Sequence, residues 1–331
     1  MSIVRLRPAK GKARSSFVPP PVEGQVRTLR LQRRLAIVGA AIGLLAGIVA
    51  FLPASLLANV VASATNDEFI LAEAEGTIWN GSALPVLTGG RDSSGAPSRD
   101  ASVLPSRLEW QLRPHWNGLA LHLAQDCCLA HGVDLGVHRQ FDAWLVSVIA
   151  PGETAGPPQP IAHTGIVTGE GSSDAIAMTT ATPIGQWPMG WLEGRGFPWS
   201  TIHPGGLMTL TTHHLSFLLK GGHWHMLGSA QVELRQVSSR LTTLDTLGTY
   251  RVLIQPDPST VLVPAEGAPR SIVWLSTLDG ALVIKGSGLI GANGVRMRAE
   301  AHAAAGSESA LNNLLNLIGR RNGALSVISI G

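Results

Sequence analysis

Five histidines fall within 23 residues: His203, His213, His214, His223 and His225. Imidazole is a common metal ligand, so a metal site is the first chemistry to weigh. Strand geometry argues against it. With Gly221-Gly222 as a two-residue turn, Lys220 pairs with His223 and Leu218 with His225. His214 then lies four residues further along, roughly 13 Å away at ~3.3 Å per residue. Neighbouring residues of a strand point to opposite faces, so His213 and His214 diverge. No acid follows before Glu233. The expectation is a hairpin with solvent-facing histidines and no metal. Cys127 and Cys128 are adjacent, and ordinary disulfide geometry is hard to reach between neighbours. In an oxidising compartment they either bridge each other or stay buried as thiols. No function is assigned to them.

Other chemistry leaves no signature. There is no P-loop, no H-E-x-x-H, no C-x-x-C and no G-x-S-x-G. Ser287 sits in Lys285-Gly286-Ser287-Gly288, which departs from a nucleophile elbow. No pair of acids stands out as an acid/base couple. No catalytic, cofactor-binding or metal residue is therefore named, and no cofactor is expected. Nine Trp stand against one Tyr. Trp187, Trp191 and Trp199 crowd into WPMGWLEGRGFPW. Such a segment is either loop packing or an exposed partner site, since Trp is enriched at binding hot spots.

The elements around these residues begin with a charge asymmetry. The chain has 331 residues, of which 14% are charged, well below the usual ~25%. Residues 1–34 hold nine Lys/Arg and one acid, Glu23, which gives the tail +8. The formal net charge is +3, so the remainder carries −5. The tail contains Pro19-Pro20-Pro21, lacks periodicity and reads as flexible. Its charges suit anionic lipid headgroups better than nucleic acid, because no aromatics interleave with them.

From Leu35 to Asn66 no residue is charged, a run of 32. Residues 35–58 read as a transmembrane anchor, since a bilayer core needs about 20 apolar residues as helix. Arg27, Arg30, Arg33 and Arg34 precede it, and Asp67 and Glu68 follow. The positive flank places the N-terminus in the cytoplasm and residues 59–331 in the periplasm, single-pass in the inner membrane. A cleaved signal peptide is the competitor, with Ala62-Ser63-Ala64 as a small-x-small site, but the apolar run is long for one. Gly39, Gly43 and Gly47 repeat every four residues and form one small stripe for helix–helix contact.

Residues 59–331 read as one periplasmic β-rich domain. SRLEWQLRP sets Leu108, Trp110 and Leu112 on one face. GLALHLA repeats the pattern with Leu119, Leu121 and Leu123. FDAWLVSVI, GGLMTLTTHHLSFLL, AQVELRQV, TYRVLIQP, RSIVWLSTL and ALVIKGSG are further strands. One apolar and one polar face fit an extended antiparallel sheet, so the fold class is mainly β. Residues 278–280 (LDG) and Gly221-Gly222 read as hairpin turns. Residues 88–106 and 150–160 read as loops. Near the end Leu311, Leu314, Leu315 and Ile318 make a short amphipathic helix. Ser307 or Ser309 starts it, Arg320 and Arg321 suit its negative end, and Gly323 closes it. A final strand, ALSVISI, folds the helix back onto the sheet. Gly76–Ala83 and Gly222–Ala230 share a Trp ahead of Gly-Ser-Ala, a weak internal echo.

Several short motifs follow one another in order. They are G-T-x-W-x-G (Gly76, Thr77, Trp79, Gly81), W-x-L-x-P (Trp110, Leu112, Pro114) and L-G-x-Y (Leu247, Gly248, Tyr250). Then come D-G-x-L-x-x-x-G-x-G (Asp279, Gly280, Leu282, Gly286, Gly288) and LLNLIGRRNG. Over residues 35–331 this order resembles type II secretion system protein N, or general secretory pathway protein N. The resemblance implies a non-enzymatic inner-membrane accessory component of the machine that exports folded proteins from the periplasm across the outer membrane. It implies partners among the other inner-membrane and periplasmic components of that system. The alternative is an AsmA-like periplasmic lipid carrier or envelope-biogenesis protein. That would need strands apolar on a concave face with no helix plugging it.

Overall fold

The structure is a computed structural model. It describes residues 23–331 apart from 92–95, 97, 141, 151–182, 259–269 and 292–293. The basic tail before Glu23 and nearly all of the expected 150–160 loop lie outside the described residues. The chain divides into two units, Met1–Phe51 and Leu52–Gly331.

In the first unit, helix α1 runs Glu23–Ala50. Its apolar side chains face outward, with Leu35, Ile42, Leu44 and Leu45 each more than 60% exposed. The part without charge, Leu35–Ala50, is about 24 Å long at 1.5 Å per residue. A hydrocarbon core is about 30 Å thick. Among the described residues no helix is long and apolar enough to cross a membrane. The apolar run over 35–58 is divided. Pro53 has no N–H and disfavours helix in the residue before it. A second helix, α2 (Ala54–Ala64), starts behind it.

Helix α2 belongs to the second unit. Ala54, only 1% exposed, packs with Leu71, Ala83 and Trp110, and Leu57, Ala58 and Val61 support the contact. Residues 54–58 are thus part of a sheet core. Thr65 ends the helix, its hydroxyl donating to the Val61 carbonyl at 2.9 Å.

Among the described residues this unit is built on one antiparallel sheet of sixteen strands. These are β1 (Phe69–Gly76), β2 (Asn80–Thr88), β3 (Ala101–Val103), β4 (Leu108–His115), β5 (Gly118–Gln125), β6 (Leu129–Gln140), β7 (Ala143–Ile149) and β8 (Gly185–Pro188). They continue as β9 (Pro204–Lys220), β10 (His223–Ser239), β11 (Gly248–Pro256), β12 (Ser271–Gly280), β13 (Leu282–Gly291), β14 (Gly294–Ala303), β15 (Arg320–Asn322) and β16 (Leu325–Ile330). The path follows chain order except that β3 lies beside β2, β8 beside β9, and β16 precedes β15. Such a meander needs only short connections. The β1–β2, β4–β5, β6–β7, β9–β10 and β13–β14 turns all fall at one end of the sheet, where β11 also gives way to β12.

Register turns the alternation of each strand into rows across the sheet. One row reads Pro114, Leu119, Val137, Val146, Phe217, Met226 over β4–β10. Another runs Ala230, Ile254, Val273, Gly288, Met297, Ile330 over β10–β16. On the opposite face His122 Nδ1 lies 2.7 Å from Asp134 Oδ1 across β5–β6. The expected antiparallel architecture is present, with β1, β3, β6, β8, β14 and β15 adding to the strands read from sequence. Strand β3 lies inside the expected 88–106 loop. The 278–280 turn is displaced, because β12 continues to Gly280, where it still pairs with β11.

The apolar face is covered in parts. Helix α4 (Glu308–Ile318; α3 is Trp199–Ile202) lays Leu311, Leu314 and Leu315, each at most 3% exposed, on the C-terminal strands. They join Met189, Val237, Leu247, Tyr250, Leu282 and Ala301 in the largest core cluster. The seam is as the spacing predicts, but the C-terminus differs. Gly319 is extended, so the chain turns straight into β15. Arg320 and Arg321 are strand residues, and Gly323 (φ +63°) lies in the β15–β16 turn. Ser307 is the N-cap residue but makes no side-chain capping bond.

Candidate functional site

Two of the family-like motifs lock onto each other. Gly248 pairs with Gly280 across β11–β12. Leu282 N–H donates to the Leu247 carbonyl at 2.9 Å. The buried Tyr250 hydroxyl donates to the Leu282 carbonyl at 2.9 Å. Both glycines have positive φ, and a Cβ on Gly280 would strike the Gly248 backbone. Burial pushes the Tyr250 phenol well above its ordinary value, because an apolar site disfavours the phenolate. L-G-x-Y and D-G-x-L are therefore two halves of one structural knot.

The G-T-x-W-x-G and W-x-L-x-P motifs form a second knot. Trp110, 3% exposed, donates from Nε1 to the Thr77 carbonyl at 3.2 Å. Thr77 Oγ1 accepts from the backbone N–H of Trp79 at 3.3 Å and of Asn80 at 3.2 Å. Gly81 lies against the Trp110 ring at a distance no Cβ would allow.

The histidine hairpin has the expected register, with His223 opposite Lys220 and His225 opposite Leu218. His225 is lowered, by burial first and then by His223 and Lys220. The expected divergence of His213 and His214 is corrected. A bulge lies between Leu227 and Ser229, and His214 has φ +47°. This brings the two rings to 4.6 Å, side by side and exposed. His203 stands apart, its Nδ1 3.1 Å from Glu193 Oε2. Among the described residues no three His, Cys, Asp or Glu side chains are grouped to hold a metal.

Cys127 and Cys128 are joined by a disulfide. Cys128 is buried, and its carbonyl accepts from Gln186 N–H at 2.8 Å, which ties the β5–β6 turn to β8. The tryptophan-rich segment forms a 3-10 helix, Met189–Arg195. It straps the middle of the sheet to the first strands. Trp191 meets Phe69 edge-on at 6.3 Å, Ser102 Oγ donates to the Trp191 carbonyl, and Arg195 Nη1 lies 2.6 Å from Glu68 Oε2. Trp187, Trp191 and Trp199 are only partly exposed, so packing explains this segment.

Four tryptophans elsewhere are exposed. Trp116, Trp144 and Trp224 are 103%, 44% and 53% exposed and lie at the turn end of the sheet, while Trp274, 39% exposed, stands on the other face of β12. Beside Trp224 the described residues leave part of the apolar face open. A cleft of about 490 Å³ opens there, lined by Leu215, Phe217, Trp224, Met226, Ile254 and Ile290 among others. Sequence reading did not single these residues out. The signal was the alternation of β9–β13, but only register shows that the alternating residues line up.

These features define a β-meander domain preceded by an apolar helix, held by paired Gly motifs and assembling no catalytic constellation among the described residues. The family model for type II secretion system (T2SS), protein N, matches residues 69–327, and the chain belongs to that family. Its role is accordingly associated with type II secretion. Comparison with curated proteins and with solved structures finds no match.

Proposed function

We propose that this chain is a non-enzymatic, single-pass inner-membrane component of the type II secretion system. Its basic tail is cytoplasmic and its β-meander domain periplasmic. The family match over residues 69–327 carries the reading. The charge pattern supports the placement, with Arg33 and Arg34 before the apolar run and Asp67 and Glu68 after it. The anchor is the apolar part of α1 with Phe51 and Leu52. A stretch shorter than the bilayer is accommodated by local thinning and by snorkelling of flanking arginines. The Cys127–Cys128 disulfide suits an oxidising compartment. Helix α2 supports an uncleaved chain, since cleavage after Ala64 would remove Ala54, Leu57 and Val61 from the first core cluster.

Partners are other inner-membrane and periplasmic components of the system, and inner-membrane lipid. Gly39, Gly43 and Gly47 offer a contact stripe, where an added Cβ meets nothing within 4 Å. A photoreactive side chain at Gly43 in living cells tests this. The expected result is a cross-link to another membrane subunit of the secretion system. Recovery of only uncross-linked chain, in a strain that secretes normally, contradicts it.

A further inference from the structure

We propose that the Cys127–Cys128 disulfide is a thiol–disulfide exchange site for an external dithiol, and that its reduction loosens the seam between β6 and β8. The proposal does not depend on the role in export. A disulfide in a folded protein commonly acts as a staple, and its contribution grows with the length of chain it closes. Cys127 and Cys128 are neighbours, with no residue between them. Chain closure therefore contributes almost nothing here, and what the bridge fixes is one turn. Opening it leaves the sheet standing, as a reversible exchange site requires. These are also the chain's two cysteines, so a reduced pair has no third sulfur with which to reshuffle.

The two residues differ in access. Cys127 is exposed in the β5–β6 turn, and Cys128 is 4% exposed. A thiolate of the external dithiol therefore attacks Cys127 Sγ. The Sγ–Sγ bond breaks, and its electron pair goes to Cys128 Sγ, which takes a proton. The second thiolate of the reagent then attacks the reagent's own sulfur in the mixed disulfide. This releases Cys127 as a thiolate, which is protonated in turn, and the reagent leaves as a disulfide. Two electrons and two protons have passed to the protein.

The turn that this step frees is bonded on three sides. Cys127 N–H donates to Ser106 Oγ at 3.1 Å, before β4. Cys128 N–H donates to the Gln125 carbonyl at 3.2 Å, at the end of β5. The Cys128 carbonyl accepts from Gln186 N–H at 2.8 Å, in β8. A Cβ on Gly185 would stand 2.6 Å from that same carbonyl, so β8 lies directly against the turn. Strand β8 has four residues, and it pairs with β9 alone. The closed ring holds the Cys128 carbonyl in place for Gln186. The open pair regains the backbone freedom that the ring removes, and that bond weakens. Gln186 lies three residues before Met189, where the 3-10 strap onto the first strands begins.

The test equilibrates the full chain, in detergent, with mixtures of reduced and oxidised dithiothreitol. Maleimide trapping counts thiols, and hydrogen exchange follows the Gln186 amide, with the amides of β13 as the reference for the whole sheet. Two thiols are expected to appear while β13 exchange is unchanged and Gln186 exchange rises at least tenfold. The double variant Cys127→Ala/Cys128→Ala should show the fast Gln186 exchange without reductant and no further response to it. A thioredoxin lacking its second cysteine should be trapped as a mixed disulfide on Cys127. Thiols that appear only where β13 exchange has also risen make the bridge a structural staple and overturn the proposal. Thiols in a folded chain with Gln186 exchange unchanged overturn it as well, and so does a mixed disulfide that forms on Cys128 or does not form.

Discussion

The hydroxyl of Tyr250 donates to the carbonyl of Leu282 at 2.9 Å, 32 residues along the chain and inside the main core. Tyr250→Phe leaves that carbonyl buried without this donor. The loss is expected to be about 1–3 kcal/mol, read as a lowered urea midpoint at unchanged m-value. An unchanged midpoint would show that the bond contributes nothing.

Tyr250 is the chain's one tyrosine, so tyrosinate absorbance reports on it alone. Its folded pKa is raised by burial above the ordinary value near 10. The folded state therefore holds the phenol proton more tightly than the unfolded state. The resulting stability is complete below pH 10 and is lost as pH rises through the folded value. In an alkaline titration tyrosinate should appear only together with unfolding. Reversible ionisation near pH 10 in folded protein would contradict this.

The Trp110–Thr77 bond makes the first hairpin depend on β4. Gly81→Ala drives a Cβ into the Trp110 ring and the neighbouring backbone. Overpacking of this kind costs about 1–3 kcal/mol, and Trp110→Phe should lower stability by a similar amount. Thermal melts of both variants check it. Unaltered melting of Gly81→Ala would mean that the hairpin is not held as described.

Helix α4 covers the C-terminal strands through Leu311, Leu314 and Leu315. Leu315→Ala should cost about 2–5 kcal/mol, as in other buried Leu→Ala changes. Leu317, which is half exposed, serves as the control, and Leu317→Ala should stay within about 0.5 kcal/mol. Equal effects in denaturant titration would show that α4 is not docked by this seam.

Local pattern was legible, and what depends on partners was not. Alternation in β4, β5, β9 and β12 marked strands, and the spacing of Leu311, Leu314, Leu315 and Ile318 marked α4, because burial on one face fixes the period. The Gly221-Gly222 turn fixed the β9–β10 register. That register failed for His213 and His214, since a bulge is set by the opposing strand. The boundary between α1 and α2 was hidden for a similar reason. Ala54–Ala58 are as apolar as the residues before them, and only the sheet against which they pack assigns them. The locking of Leu247-Gly248-x-Tyr250 to Asp279-Gly280-x-Leu282 joins residues some 32 apart, which no local period encodes. The cleft exists only once five strands are in register.

The central claim is participation in protein export. The most direct measurement is a clean deletion of the gene, with exoproteins quantified in culture supernatant and periplasm. Folded exoproteins should accumulate in the periplasm behind an intact outer membrane, and the full-length chain should restore secretion. Normal secretion in the deletion strain, with cells made permeable to detergents and large antibiotics, would contradict the account.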